Sequence, residues 1–289
     1  MSLSLSGVHT ALITPFREDG SVDFTAYERL CQRQVDAGVH GLVVAGTTGE
    51  APTLTEAEYD QLVRIAVGVG QGVVPVTAGV GTNNTVSTVA KLERAAQLGA
   101  NAGLLVFPYY NKPNPRGLRA HVAEADKVGL PFVLYHVPGR TGQRLPAPLL
   151  AELAQSPGVI AIKEATGDIR YGGDLMARTD KPVLSGDDFT FLSLLAMGGA
   201  GVISVLSNVA PVQTVEIWDA WADGDTELAT QGMYRLWDLI DFLFTDSNPV
   251  PAKAAMAALG LSTPTVRLPL GEYSGPSPAP ILAKLGMLG

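Results

Sequence analysis

The 289-residue chain has one cysteine, Cys31, so no intrachain disulfide can form. Its place in an apolar helical pattern reads as a small buried hydrophobe. Positive charge is also scarce: the net charge of −8 leaves no basic face for a nucleic-acid backbone or an anionic membrane. The histidines His9, His40, His121 and His136 form no H-x-x-x-H pair and have no cysteine beside them, so no zinc site is expected. No G-x-S-x-G elbow occurs, and Gly79-Val80-Gly81 falls short of a dinucleotide fingerprint. No run approaches the roughly 18 apolar residues of a membrane span. The opening MSLSLSGVHTALITPF lacks a charged n-region and a long apolar core, so it does not read as a signal peptide. These absences lead to the expectation of a cytoplasmic globular protein without a zinc site, and composition alone does not separate an enzyme from a binding protein.

What is present is regular. Eight short apolar runs recur, each followed by a helix-like segment: 8–14, 41–46, 73–79, 102–107, 132–137, 159–164, 182–186 and 200–205. They are rich in β-branched residues and almost continuously apolar, as parallel strands covered on both faces must be. Between them, 23–38 carries helical spacing and stops at a glycine, and Thr55-Glu56-Ala57-Glu58 opens a helix with a capping box. Segments 83–99 and 115–129 close on Gly99 and Gly129. Eight alternations without a polar linker predict an α/β fold, a (β/α)8 TIM barrel, over a doubly wound open sheet. Residues 1–207 would form the barrel through its eighth strand. Residues 208–289 would supply the eighth helix and a C-terminal helical extension of the same domain.

In such barrels chemistry gathers at the carboxyl ends of the strands. Those ends read Thr14-Pro15, Thr47-Thr48-Gly49-Glu50, Pro108-Tyr109-Tyr110, Tyr135-His136, Lys163-Glu164 and Ser185-Gly186-Asp187, so hydroxyls, phenols, carboxylates and one lysine should converge there. Lys163 lies inside the apolar strand V-I-A-I-K-E, where burial lowers its pKa and frees an amine for attack on a carbonyl. The alternative is a lysine neutralised by a carboxylate. Glu164 is poorly placed for that, because adjacent strand residues face opposite sides. Tyr135 ends the neighbouring strand and is a candidate proton donor, or else a core aromatic. The Thr47-Thr48 turn suits a small carboxylate, or simply caps the next helix. Arg140, in a loop flanked by Pro138, Gly139 and Gly142, could grip a second carboxylate or remain a solvated surface group. Gly198-Gly199-Ala200-Gly201 precedes the last strand and lies at the wrong end for a phosphate loop. Trp218, Trp221 and Trp237 fall on late helices and read as packing or subunit contacts.

Taken together, G-T-T-G-E (46–50), P-Y-Y-N-K-P (108–113), Y-H-V-P-G-R-T-G (135–142), I-K-E-A-T-G (162–167), S-G-D-D (185–188), G-V-I-S-V (201–205) and N-P-V-P-A-K (248–253) resemble the dihydrodipicolinate synthase family. The resemblance runs from about residue 5 to the C-terminus. It implies condensation of pyruvate with aspartate 4-semialdehyde in lysine biosynthesis, with no metal or organic cofactor. On that resemblance Lys163 forms an imine with pyruvate, Tyr135 moves protons, and Thr47 and Tyr110 complete a hydroxyl relay. Tyr110 reaches in from a neighbouring subunit. Thr48 and the backbone of Ile203 hold pyruvate, Gly186 lines the pocket, and Arg140 binds the carboxylate of the semialdehyde. A homotetramer built as a dimer of dimers is also implied.

Two rivals remain at this stage. Sibling aldolases acting on N-acetylneuraminate, keto-deoxy sugar acids or hydroxy-oxoglutarate share the lysine and tyrosine, although Arg140, Tyr109-Tyr110 and N-P-V-P-A-K favour the synthase. A catalytically silent barrel sensing small carboxylates is the remoter alternative. The chain also departs from feedback-inhibited members: Glu56, Tyr59 and Ser87 stand at lysine-contact positions, while Tyr109 and Asn83 match. Inhibition by L-lysine is therefore expected to be weak or absent. His136 replaces an asparagine common in the family and is given no chemistry.

Overall fold

The computed structural model describes residues 3 and 5–288; residues 1, 2 and 4 of the opening stretch lie outside it. Eight parallel strands close on themselves: β1 Gly7–Ala11, β2 Gly41–Val44, β3 Val76–Gly79, β4 Ala102–Val106, β5 Phe132–His136, β6 Val159–Glu164, β7 Val183–Ser185 and β8 Gly201–Ser204. Closure comes from β8, whose Val202 and Ile203 pair with Val8 and His9 of β1. Each of the eight apolar runs supplies one strand, so the barrel replaces the open-sheet alternative.

Nearly continuous apolar strands hide a strict alternation. Ala11, Val43, Leu104, Val133, Ala161, Leu184 and Ile203 fill the barrel interior. Their neighbours Val8, Leu42, Leu134, Ile162, Val183 and Val202 face outward into the core shared with the helices. Both faces are thus dry, which is why a period of two is invisible in the sequence. Each fully buried Leu, Ile or Val contributes about 1.5–3 kcal/mol over leaving it exposed.

The connecting helices begin and end on local signals. Helix Phe24–Asp36 starts where Asp23 accepts from the Ala26 N–H, and it stops before Gly38, whose φ of +81° suits a residue without Cβ. Helix Glu56–Gly70 carries the full reciprocal capping box between Thr55 and Glu58. After β8 come helices Leu206–Val209, Pro211–Ala222, Thr226–Leu243, Val250–Ala258 and Ala279–Lys284. Asn208 ties the first of these to β1: its Oδ1 accepts from Ile13 N–H, and its Nδ2 donates to Ala11 O. Trp218 packs edge-on against His40. Cys31 is buried and unpaired. No helix among the described residues is long and apolar enough to cross a membrane.

Candidate active site

Tyr135 and Lys163 are register partners on β5 and β6, so the pleat turns both to the same side. Lys163 Nζ lies 4.3 Å from the Tyr135 ring centroid, and each residue is only 5% exposed. Burial lowers the Lys163 pKa from 10.5 to about 8; Asp187 and Asp188 oppose the shift and Arg140 reinforces it. At pH 7 the free-amine fraction is then about 300-fold that of an ordinary lysine. Burial pushes the Tyr135 phenol the other way, up to about 12, with Arg140 and a hydrogen bond from Thr47 opposing and Asp187 adding to the rise. One neighbour is ready to give up a proton and the other holds on to its own.

A cavity of about 420 Å³ opens above this pair at the carboxyl ends of the strands. Thr47, Thr48, Tyr135, Arg140, Lys163 and Gly186 line it, so six of the eight residues picked from sequence come together. Ile203 sits deeper, in the inner barrel cluster that includes Tyr135 and Ala165. Tyr110 lies apart from the cavity of its own chain, 88% exposed and at φ +72°. Gly186 has a steric reason to be glycine. A Cβ there would come within 2.9 Å of Lys163 Cε and 2.5 Å of the Ala165 side chain.

The carboxylates expected to converge here mostly do not. Glu164 follows the pleat to the outer face, opposite its register partner His136, and both are fully buried. Glu164 Oε1 accepts from Thr166 N–H, and burial raises this acid to about 7. His136 is held near 4 by the same cause and packs against Tyr171 at 5.5 Å. Glu50 turns down into an ion pair with Lys253, Nζ to Oε1 2.5 Å, at 0% and 1% side-chain exposure. The contact joins charges without a directional hydrogen bond at Oε1. Thr14 is likewise absorbed by the scaffold, donating to Gly49 O. Arg140 stands on a single helical turn, Pro138–Thr141, where a loop was expected; Pro138 occupies the first helical position, where its missing N–H costs nothing.

Two residues that hold the site escaped the sequence reading. Asn248 donates from Nδ2 to Thr48 Oγ1 at 2.9 Å, and its backbone carbonyl accepts from Arg140 Nη2 at 3.3 Å. Lys253 fixes Glu50 beneath the Thr47-Thr48 turn and donates to Thr265 O. Both belong to the N-P-V-P-A-K segment, but nothing local signals that an alanine-flanked lysine on a helix will be fully buried. A second cavity, of about 260 Å³, shares Thr47, Tyr135 and Arg140 and is bordered by Gly79, Lys91 and Tyr109.

The family model for the dihydrodipicolinate synthetase family matches residues 4–278, nearly the whole chain. The chain belongs to this family. It is 45% identical over 271 residues to the 4-hydroxy-tetrahydrodipicolinate synthase of Thermodesulfovibrio yellowstonii, covering 93% of each protein. Among solved structures it matches the dihydrodipicolinate synthase of Thermotoga maritima with a TM-score of 0.96 at 39% identity, over 99% of this chain and 100% of that one. The Cyanidioschyzon merolae enzyme, solved with lysine bound, superimposes at a TM-score of 0.93 and 36% identity, over 98% and 99% of the two chains.

Proposed function

We propose that the chain condenses pyruvate with L-aspartate 4-semialdehyde to 4-hydroxy-tetrahydrodipicolinate through a Schiff base on Lys163. The observation that carries this reading is the buried amine, its pKa lowered to about 8, held against a phenol in an open cavity, in a chain of this family. Lys163 Nζ attacks the ketone of pyruvate, water leaves, and the protonated imine acts as an electron sink. Loss of a methyl proton then gives an enamine that adds to the aldehyde. The semialdehyde's amino nitrogen, as the free amine, displaces Lys163 Nζ from the regenerated imine carbon, closing the ring and freeing the lysine. Tyr135, protonated across the neutral range, donates and recovers the protons, with Thr47 passing them on. Thr48, already oriented by Asn248, and the backbone at Ile203 hold the pyruvate carboxylate; Gly186 leaves room for it.

The reading extends to the assembly. Tyr110, exposed at the surface, would enter the site of a second copy and complete the hydroxyl relay there, within a cytoplasmic homotetramer arranged as a dimer of dimers. The direct test is an assay of pyruvate consumption that depends on aspartate 4-semialdehyde, run beside cleavage of N-acetylneuraminate and 2-keto-3-deoxygluconate. Turnover of a sugar acid with no use of the semialdehyde would transfer the chain to a sibling activity.

Arg140 borders the cavity with its guanidinium largely free, tethered by one long contact to Asn248 O. Arg140→Ala should keep pyruvate trapping but weaken use of the semialdehyde by about 1.5–3 kcal/mol, the scale of a charged hydrogen bond. Unaltered semialdehyde kinetics in that variant would remove the arginine from the scheme. L-Lysine should inhibit weakly or not at all. Glu56 and Ser87 are exposed, and Tyr59 is buried with its hydroxyl unpartnered, so these positions offer an ammonium and a carboxylate few fixed contacts. Half-maximal inhibition at micromolar L-lysine would refute this.

A further inference from the structure

The seam between β7 and β8 ends early. Leu184 and Ser185 pair with Gly201 and Val202, and among the described residues no ladder pair follows. On its other side β8 stays paired with β1 as far as Ser204, opposite Thr10. Ile203, whose backbone is proposed to hold pyruvate, therefore lies one residue past the last support from β7. A side chain takes over there. Asp188 starts the single turn Asp188–Thr190 and is only 2% exposed. Its Oδ1 accepts from Ser204 Oγ at 2.6 Å, and its Oδ2 accepts from the Val205 and Leu206 N–H groups at 3.0 and 2.9 Å. These are the three residues that follow Ile203. Asp187 borders the 420 Å³ cavity, whereas Asp188 does not.

The tie continues well beyond this contact. Ser204 Oγ accepts from the Ser207 N–H, Ser207 Oγ donates to Thr10 Oγ1, and Thr10 Oγ1 donates to Gln34 Oε1. One buried chain of hydrogen bonds thus runs from the end of β7 through β8 and β1 to helix Phe24–Asp36. In a dry interior such a network fixes the geometry of its members. We propose that Asp188 is a positioning residue for pyruvate binding: without touching substrate, it extends the β7–β8 seam past its last ladder pair and fixes the Ile203 main chain against the pyruvate carboxylate. The inference rests on the Schiff-base reading above and adds to it a group that no substrate reaches.

The same carboxylate bears on the nucleophile. Burial raises the pKa of Asp188, while the three donors and Lys163 oppose that rise by favouring the charged form. β7 neighbours β6, and the charge of Asp188 in turn opposes the lowering of the Lys163 pKa by burial. Asp188 therefore has two separable duties, shape at Ile203 and charge at Lys163. An aspartate that only held the fold together would leave the second undone.

Borohydride trapping of pyruvate reads both duties without the semialdehyde. Asp188→Asn keeps the size of the side chain and removes its charge. The pH midpoint of trapping should fall by about half a unit or more in this variant, because the lysine loses a nearby opposite charge. Half-saturating pyruvate should rise about 3- to 10-fold, the scale of a lost hydrogen bond. Ser204→Ala keeps the charge and removes one tie, so half-saturating pyruvate should rise about threefold with the midpoint unmoved. An unmoved midpoint in folded Asp188→Asn, an equal midpoint shift in both variants, or wild-type half-saturation in either overturns the proposal. If Asp188→Asn does not fold, half-saturation in Ser204→Ala decides alone. Absence of trapping in the wild-type protein would instead remove the Schiff-base reading itself.

Discussion

Lys163→Ala should show no mass addition after borohydride reduction with pyruvate, and its condensation rate should fall on the order of 10⁴-fold or more, as for loss of a covalent nucleophile. The protein should fold at least as well as the wild type. Lys163 is 5% exposed and enters no ion pair among the described residues, so its removal relieves a buried charge instead of orphaning a partner. The wild-type pH profile gives the same assignment independently. With its pKa lowered to about 8, the amine is protonated in acid and gains nucleophilic fraction as pH rises. Trapping should therefore climb about tenfold per pH unit below 8 and level off above it. A profile still rising steeply at pH 10 would mean an ordinary solvated lysine, and retained trapping in the alanine variant would place the imine elsewhere.

Lys253→Met should be strongly destabilising, although Lys253 does not border the cavity. It leaves the Glu50 carboxyl without its counter-charge at 1% side-chain exposure, with only the Arg267 backbone N–H still donating to Oε2. Breaking a buried pair in this way costs about 3–5 kcal/mol, or roughly 6 to 20 °C in melting temperature for a chain of this size. Phe16 also stacks on the ammonium at 3.9 Å and loses that contact. Lys284→Met breaks a pair with Asp238 in which both side chains are mostly exposed, and should leave the melting temperature unchanged. Equal melting of the Lys253 and Lys284 variants would show that the buried pair stabilises nothing. Because Glu50 closes the turn that carries Thr47 and Thr48, any folded Lys253→Met protein should also bind pyruvate less tightly.

The contrast between these two lysines explains what could be read from the chain. Lys163 was conspicuous because a charge interrupts V-I-A-I-K-E, and a strand gives each residue a definite side. The same alternation sent Glu164 outward, as the structure has it. Lys253 sits on a helix among alanines, where burial depends on which neighbours arrive, and its partner is 203 positions earlier. No local pattern encodes that distance. Asp187 and Asp188 illustrate a second limit. They lie beyond the end of β7, where no pleat fixes direction, so adjacent identical residues could not be told apart until their hydrogen bonds were known. The barrel itself was legible, since eight apolar runs bounded by caps leave few ways to bury both faces. The tether from Asn248 to Thr48 was not, because it joins a residue before the last long helix segment to a turn after β2.

That tether and the Glu50–Lys253 pair set an order on the birth of the active centre. The threonine turn is synthesised about 200 residues before its supports at 248, 253 and 267. A ribosome-bound intermediate lacking those later residues keeps the Thr14 hydrogen bond to Gly49 O but has neither the Asn248 tether on Thr48 nor a counter-charge for Glu50. Pyruvate capture should therefore be weak until residues 248–267 have emerged, so a nascent barrel holds keto acids poorly before those supports arrive.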